Sequence, residues 1–252
     1  MNHMATYVVG DIHGRSGLLD QLERDVPWDI RRDKIVFLGD LIDRGDDAPG
    51  VVERVMRYAR ENPSVIVLRG NHEQMFLNCL DNGDTQWLIP ENGGPATLEA
   101  YGVTPLGENG EIELTIPKEH VEFMRGLPFF HEDDEAIYVH AGLVPGVHPS
   151  ETDPETLIWT RDAHFFRHYE GKLCIFGHTP TVYLPRDGCH RHFGIYIHGA
   201  CVGIDTSGEQ DSPLSCLRVD TFTLYQAYPR GVTEVKRLAH LKHRDEQRAE
   251  GI

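Results

Sequence analysis

A mixed α/β sandwich is the fold that three features of the sequence predict. Apolar β-type runs alternate with helical spacing between Thr6 and Leu80, a later group of short runs has few helices between its members, and loops rich in Asp, His, Asn and Arg follow the runs directly. Strand, loop and helix repeated in this way imply parallel strands joined by helical crossovers. The later group implies antiparallel pairing.

The elements follow in order. Thr6–Val9 reads as a short buried strand ending at Gly10, after which Leu18, Leu19 and Leu22 keep helical spacing. Lys34–Leu38 is a second strand. Pro49 opens a helix that runs to Arg60, with Val51, Val52, Val55 and Met56 on one face. Ser64–Leu68 is a third strand, and Met75, Phe76 and Leu80 mark the next helix. From Asp81 to Glu132 the pattern is helical with turn breaks at Asn82-Gly83, Asn92-Gly93-Gly94-Pro95 and Glu108-Asn109-Gly110, and reads as a helical cap inserted beside a cleft. Ala136–His140 and Leu173–Gly177 are further strands. Gly199–Asp205, Leu214–Val219 and Phe222–Tyr228 close the series as an antiparallel group. The expected organisation is one domain over 5–237, with the cap at 81–132, and a charged, His-rich tail over 238–252 that is solvated or frayed.

Composition narrows the function. A chain of 252 residues can bury a full core. Its formal net charge of -16 argues against broad binding to nucleic acid or anionic membranes, whose phosphates it would repel. A phosphorylated substrate remains compatible, because local arginines and metal ions reverse the field inside a cleft. The five cysteines are odd in number and form no Cys-x-x-Cys motif, which predicts reduced thiols and a cytoplasmic protein. No apolar stretch reaches membrane-spanning length, and a strand so near the N-terminus leaves no room for a signal peptide. The oligomeric state is left open.

In α/β proteins, sites form beyond the carboxyl ends of parallel strands. Asp11, Asp40, Asn71, His140 and His178 all fall at such ends. A carboxylate has two oxygens and can bridge two cations. Asp40, in the middle of the series, is the natural bridge. Asp11 and His13 reach one metal, and Asn71, His140 and His178 supply the other. Mixed oxygen and nitrogen ligation suits Mn, Fe, Zn, Co or Ni. Two such ions roughly 3.5–4 Å apart activate a shared water and clamp an in-line displacement at phosphorus. Gly10, Gly39 and Gly70 let the chain turn sharply beside the metals.

His72 follows a ligand without being needed as one. Paired with Asp43 it is the expected general acid, because a carboxylate fixes the tautomer of an imidazole and raises its basicity. Arg44 and Arg69 beside the motifs, and Arg161 in Ile158–Arg161, are the expected phosphate clamp. His120, His131, His148, His164, His168, His240 and His243 are expected to be solvated. His190, His192 and His198 cluster near the last sheet, with His198 a reserve candidate for the site.

These residues resemble the phosphoprotein phosphatase family of calcineurin-like metallophosphoesterases, in its bacterial and phage branch. The matching text is Gly10–Gly14 (GDIHG), Gly39–Gly45 (GDLIDRG), Arg69–Glu73 (RGNHE), His140–Gly142 (HAG) and Phe176–Pro180 (FGHTP), with Asn92-Gly93-Gly94 and Ile158–Arg161 also similar. The resemblance implies a β-sandwich flanked by helices and two divalent ions, usually Mn. It assigns one ion to Asp11, His13 and Asp40 and the other to Asp40, Asn71, His140 and His178. It implies His72 with Asp43 as the acid, Arg44, Arg69 and Arg161 as the clamp, and direct attack by a bridging hydroxide without a phosphoenzyme. One departure is the final run, Asp205-Thr206-Ser207-Gly208, which follows a longer Gly188–Gly203 stretch than is usual and alters the substrate rim.

Hydrolysis of phosphoserine or phosphothreonine, with phosphotyrosine or small aryl phosphates in addition, is the first expectation. The alternative is symmetrical diadenosine tetraphosphate hydrolysis. Enzymes of that kind typically lack the Asp at Asp43 and carry Asp at Glu73, and both differences favour the monoesterase. A non-catalytic phosphate-binding module would lack a ligand or the acid, and every expected group is present here.

Overall fold

The computed structural model describes residues 4–103, 116–185, 194–208 and 211–238. Glu108-Asn109-Gly110, Cys189, His190, His192, His240, His243 and all but the first residue of the predicted tail lie outside these residues.

Two mixed sheets face each other between helices. The first contains β1 (Thr6–Val9), β2 (Lys34–Phe37), β3 (Val65–Val67), β9 (Leu214–Arg218), β10 (Thr223–Ala227) and β11 (Thr233–Arg237), in the order β11-β10-β9-β1-β2-β3. The second contains β4 (Phe130–Glu132), β5 (Ile137–Val139), β6 (Cys174–Phe176), β7 (Tyr196–His198) and β8 (Cys201–Gly203), in the order β4-β5-β6-β8-β7. Side chains alternate across a strand, so each strand feeds two layers of core. Val8, Val36 and Leu217 of the first sheet meet Tyr138, Ile175 and Val202 of the second. Their neighbours Tyr7, Val9, Ile35 and Phe37 turn outward under α1 (Ser16–Asp25) and α2 (Ala48–Glu61). Ile137, Val139, Cys174 and Phe176 turn the other way, under α6 (Pro154–Trp159) and α7 (Ala163–His168). Strands buried on both faces must be apolar throughout, which is why the runs in the sequence are continuous rather than alternating.

β1, β2 and β3 are mutually parallel, as are β5, β6 and β8. The last pairing corrects the expectation of a purely antiparallel C-terminal group: β8 runs beside β6, while β9, β10 and β11 are antiparallel. Each polar residue next to a strand end therefore arrives at one edge of the sandwich. β7 and β11 were not separated in the sequence, since three and five residues of mixed polarity give little period-2 signal.

The helix starts have local causes. Asp47 accepts from the Gly50 N–H at 2.9 Å ahead of α2, with Pro49 in the first turn. α3 (Asn71–Asn82) begins at Gly70 and stops at Gly83, whose φ of 70° ends the helix in the left-handed region.

The described part of the segment read as a cap beside the cleft packs into the first core. It contributes α4 (Gly94–Ala100) and α5 (Lys118–Arg125), and buries Trp87, Leu98, Val103, Ile116, Met124 and Leu127 with the α2 side chains. Its last residues, Phe130–Glu132, are already the edge strand β4. His120 lies in it too. It is buried, bonded to Tyr101 Oη at 2.8 Å and Glu53 Oε2 at 3.1 Å, and so is not the solvated side chain expected.

Candidate metal centre

Five of the six non-glycine residues with positive φ among the described residues stand at this edge: His13 (50°), Asp40 (51°), Asp43 (73°), Arg44 (68°) and His178 (62°). Left-handed backbone costs roughly 1–2 kcal/mol per residue, so something must hold these loops. For the Asp40–Arg44 turn it is Glu73. This wholly buried carboxylate accepts from Gly70 N and Asp40 N at 2.9 Å through Oε2, and from Leu41 N at 2.8 Å through Oε1. Burial, followed by the Asp40 charge, pushes its pKa up to about 7. Glu73 thus faces backbone rather than the cleft. Exchanging Glu for Asp there would change how the Asp40–Arg44 turn is braced.

Two groups of donor atoms converge, each within 4.8 Å: His13, Asp40 and His72, and Asp40, His140 and His178. Asp40 belongs to both. His140 Nδ1 lies 2.8 Å from the Leu38 carbonyl and must donate to it, since a carbonyl only accepts. A neutral ring then turns the Nε2 lone pair towards Asn71 Oδ1 at 3.0 Å and Asp40 Oδ1 at 3.4 Å. Three electron-rich atoms face one another with no proton between them, an arrangement that a cation relieves. His178 Nδ1 is 2.8 Å from Asn71 Oδ1, and its Nε2 is buried without a partner. Asp11 Oδ2 accepts from His178 N at 2.9 Å while Oδ1 is likewise buried and unpartnered. Gly177 makes that approach feasible, because any Cβ there would overlap Asp11 Oδ1.

Protonation states agree with this geometry. Burial pushes His13 and His178 well below the usual imidazole range and lowers His140. Burial acts to raise Asp40, and the imidazoles of His140, His72, His13 and His178 overcome it and hold the carboxyl low. Asp11 is raised by burial and then by Asp205 and Asp40. Neutral imidazoles beside the ionised Asp40 carboxylate, with buried lone pairs left over, fit two divalent cations that Asp40 would help to hold.

The Asp43–His72 pair forms as the sequence suggested, with Asp43 Oδ2 2.6 Å from His72 Nδ1 and both residues buried. Burial lowers the His72 pKa, and Asp40 followed by Asp43 outweighs it, so the net direction is upward. Arg44 lies across the first donor group, with Nη1 2.9 Å from His13 Nε2 and Nη2 3.2 Å from His72 Nε2. Guanidinium only donates, so both Nε2 atoms accept. A protonated His72 has no lone pair for Arg44. Charging that imidazole and releasing the arginine therefore go together.

The other arginines divide. Arg161 lines a cavity of about 740 Å³ that opens over His13 and His178. Arg69 is not among the lining residues. It donates to Gln74 Oε1 at 3.0 Å and to the Arg125 carbonyl, and its guanidinium lies over the Phe129 ring. Arg69, expected in the clamp from its neighbours in the chain, turns its side chain towards α5 in this structure. Arg15, absent from that expectation, lines the cavity and anchors the first loop through the Asp11, Ile12 and Ser212 carbonyls. Asp205, next to the end of β8, is wholly buried and close enough to raise Asp11. Its position after a strand was the available signal. His198 stacks on Tyr196 in β7 and is not among the converging groups.

A family model for calcineurin-like phosphoesterases matches residues 4–182. The chain belongs to that family. Its members work on a dinuclear metal site, and this phosphoesterase carries the donor groups for one. It is 32% identical over 142 residues to a symmetrical bis(5'-nucleosyl)-tetraphosphatase of Coxiella burnetii, covering 56% of this chain and 42% of the relative. It is 42% identical over 94 residues to serine/threonine-protein phosphatase 1 of Salmonella typhimurium, covering 37% and 40%. The chain thus spans less than half the length of either relative. A crystal structure provisionally named a diadenosine tetraphosphatase shares the fold at a TM-score of 0.63 and 18% identity, covering 94% and 95% of the two chains. A cold-active protein tyrosine phosphatase shares it at 0.58 and 16%, covering 92% and 78%. These names back the dinucleotide alternative better than the monoesterase reading put first by the sequence. Among the described residues, no helix is long and apolar enough to cross a membrane.

Proposed function

We propose that this phosphoesterase hydrolyses symmetrical dinucleoside polyphosphates. The cavity carries the proposal. At about 740 Å³ it far exceeds one phosphate, and its walls differ in kind. Arg15, Arg44 and Arg161 form a cationic side suited to a phosphate chain. Phe166, Pro180 and Tyr183 form an apolar side, on which Tyr183 stays 73% exposed. A bare aromatic face takes a nucleobase by stacking, worth about 1–3 kcal/mol per base. The names of the relatives support the same class.

Bound divalent cations supply Lewis-acid polarisation and an activated water. Asp11, His13, Asp40, Asn71, His140 and His178 would hold them, Mn being the expected metal. Arg44 and Arg161 bind the phosphate groups. His72, oriented by Asp43, hands its Nε2 proton to the leaving oxygen. A second reading, hydrolysis of phosphoserine and phosphothreonine, is favoured by that same pair. An alkoxide is a strongly basic leaving group that needs a proton, whereas a nucleoside diphosphate leaves readily without one.

The test compares the Mn-loaded protein on diadenosine tetraphosphate and on a phosphothreonine peptide, with Tyr183→Ala beside the parent. Higher kcat/KM on the dinucleotide, and a KM raised roughly 5- to 100-fold by loss of the stacking face, supports the proposal. Preference for the peptide with no effect of Tyr183→Ala overturns it in favour of the second reading.

A further inference from the structure

The acid pair is completed by two side chains, Trp87 and Thr97, that no motif in the sequence includes. Asp43 is fully buried, and its carboxylate takes four contacts. One is from His72. Thr97 Oγ1 donates to Oδ1 at 2.7 Å, and Trp87 Nε1 lies across both oxygens at 2.9 and 3.1 Å. Thr97 Oγ1 also accepts from the Asp43 backbone N–H at 2.8 Å, so a single hydroxyl fixes both the main chain and the side chain of Asp43. Trp87 is itself held by α3, the helix that carries His72, with its ring 5.0 Å from that of Phe76. Between the two donors, the Gly93 carbonyl accepts from Arg44 N at 3.4 Å. A Cβ on Gly93 would come within 2.6 Å of Arg44 N, so only glycine lets this turn lie against the Asp43–Arg44 turn.

We propose that Trp87 and Thr97 are positioning residues for proton donation, and that the 87–97 segment sets how basic a leaving group the enzyme can expel. This rests on the reading of His72 as the proton donor. In that step the water oxygen bonds to phosphorus, the bond from phosphorus to the leaving oxygen breaks, and the leaving oxygen takes the Nε2 proton of His72. A proton from the water restores the imidazole. The aim of Nε2 follows from the ring angle, the ring angle from Asp43, and the angle of Asp43 from the indole N–H and the hydroxyl. A carboxylate freed of these two donors can rotate and take His72 with it. The loss falls on esters of basic alcohols, whose departure requires the proton, and spares aryl phosphates and phosphoanhydrides.

Trp87→Phe removes the N–H and keeps a ring, Thr97→Val removes the hydroxyl at constant shape, and Thr97→Ser restores it. With the Mn-loaded 252-residue chain, kcat is measured for an alkyl phosphate, phenyl phosphate and 4-nitrophenyl phosphate, and plotted against leaving-group pKa. Trp87→Phe and Thr97→Val should lower kcat on the alkyl ester about 10- to 50-fold, part of the 10²–10⁴ that general acids contribute, and change 4-nitrophenyl phosphate by about 2-fold or less. Thr97→Ser should return the parent slope. Loss by the same factor on all three substrates, with Thr97→Ser no better than Thr97→Val, assigns the residues to packing and overturns the proposal. Asp43→Asn separates the two layers of reasoning. If it too leaves the slope unchanged, His72 is not the donor. If it steepens the slope while Trp87→Phe and Thr97→Val do not, only the positioning role falls. Thermal melts of each variant record folding, and Thr97→Val decides the matter should Trp87→Phe not fold.

Discussion

Removing the Arg44 side chain should tighten metal binding. The guanidinium donates to His13 Nε2 at 2.9 Å and to His72 Nε2 at 3.2 Å, and the first of these lone pairs is one that a metal at His13 requires. A hydrogen bond to a charged group is worth about 1.5–3 kcal/mol net when buried. Arg44 is exposed and its bonds to the two imidazoles only part-buried, so solvent screening puts the lower figure nearer the truth. Breaking about 1.4 kcal/mol of interaction corresponds to a tenfold change in affinity. Arg44→Ala should therefore bind Mn about tenfold more tightly at the His13 site, and loss of a neighbouring positive charge acts in the same direction. Titration calorimetry of the metal-free parent and variant at one pH measures this without reference to turnover. Arg161→Ala is the control, because Arg161 acts on His178 through charge alone and should give a smaller gain. Inhibition by inorganic phosphate should weaken in both variants. Equal or weaker Mn binding by Arg44→Ala would refute the idea that arginine and metal compete for one lone pair.

Three further outcomes are expected. Glu73 has a native pKa of about 7, raised by burial, so the folded state holds more protons than the unfolded state from about pH 4.5 to 7, and its contribution to stability declines as pH rises through that window. The melting-temperature advantage of the metal-free parent over Glu73→Gln should accordingly be larger at pH 5 than at pH 8; an advantage that grows with pH would show the sign to be wrong. Gly177→Ala should displace Asp11 and lower the number of metals bound per chain by elemental analysis, since its Cβ overlaps Asp11 Oδ1; full metal content with parental activity would contradict the close approach. His72→Asn should reduce kcat on an alkyl phosphate by about 10²-fold or more while leaving metal content nearly intact, and equal loss of both would make His72 structural or a ligand.

How far the site was legible in the chain depended on the range of the interaction. Asp11, Asp40, Asn71, His140 and His178 sit close to the ends of apolar strands, and parallel strands deliver their ends to one edge, so local pattern alone located them. Asp43 and His72 were paired by the chemistry of their types, and the 2.6 Å contact bears out the pairing. Arg69 rests against Gln74, the Arg125 carbonyl and Phe129, contacts that adjacency in sequence does not foretell. The parallel pairing of β8 was missed because three residues carry no signal of strand direction.

By itself, then, the sequence determined the α/β class, the presence of parallel strands joined by helical crossovers, and the donor types that collect at their ends. These follow from period, from strand-end position and from the chemistry of each side chain. Only the tertiary structure decided how those donors are held. Glu73 reaches across 33 residues to the Asp40 N–H, Trp87 and Thr97 come 44 and 54 residues to Asp43, and Arg15 spans 197 to Ser212. Hydrogen bonds of that kind are fixed by packing between elements, and no local pattern encodes them.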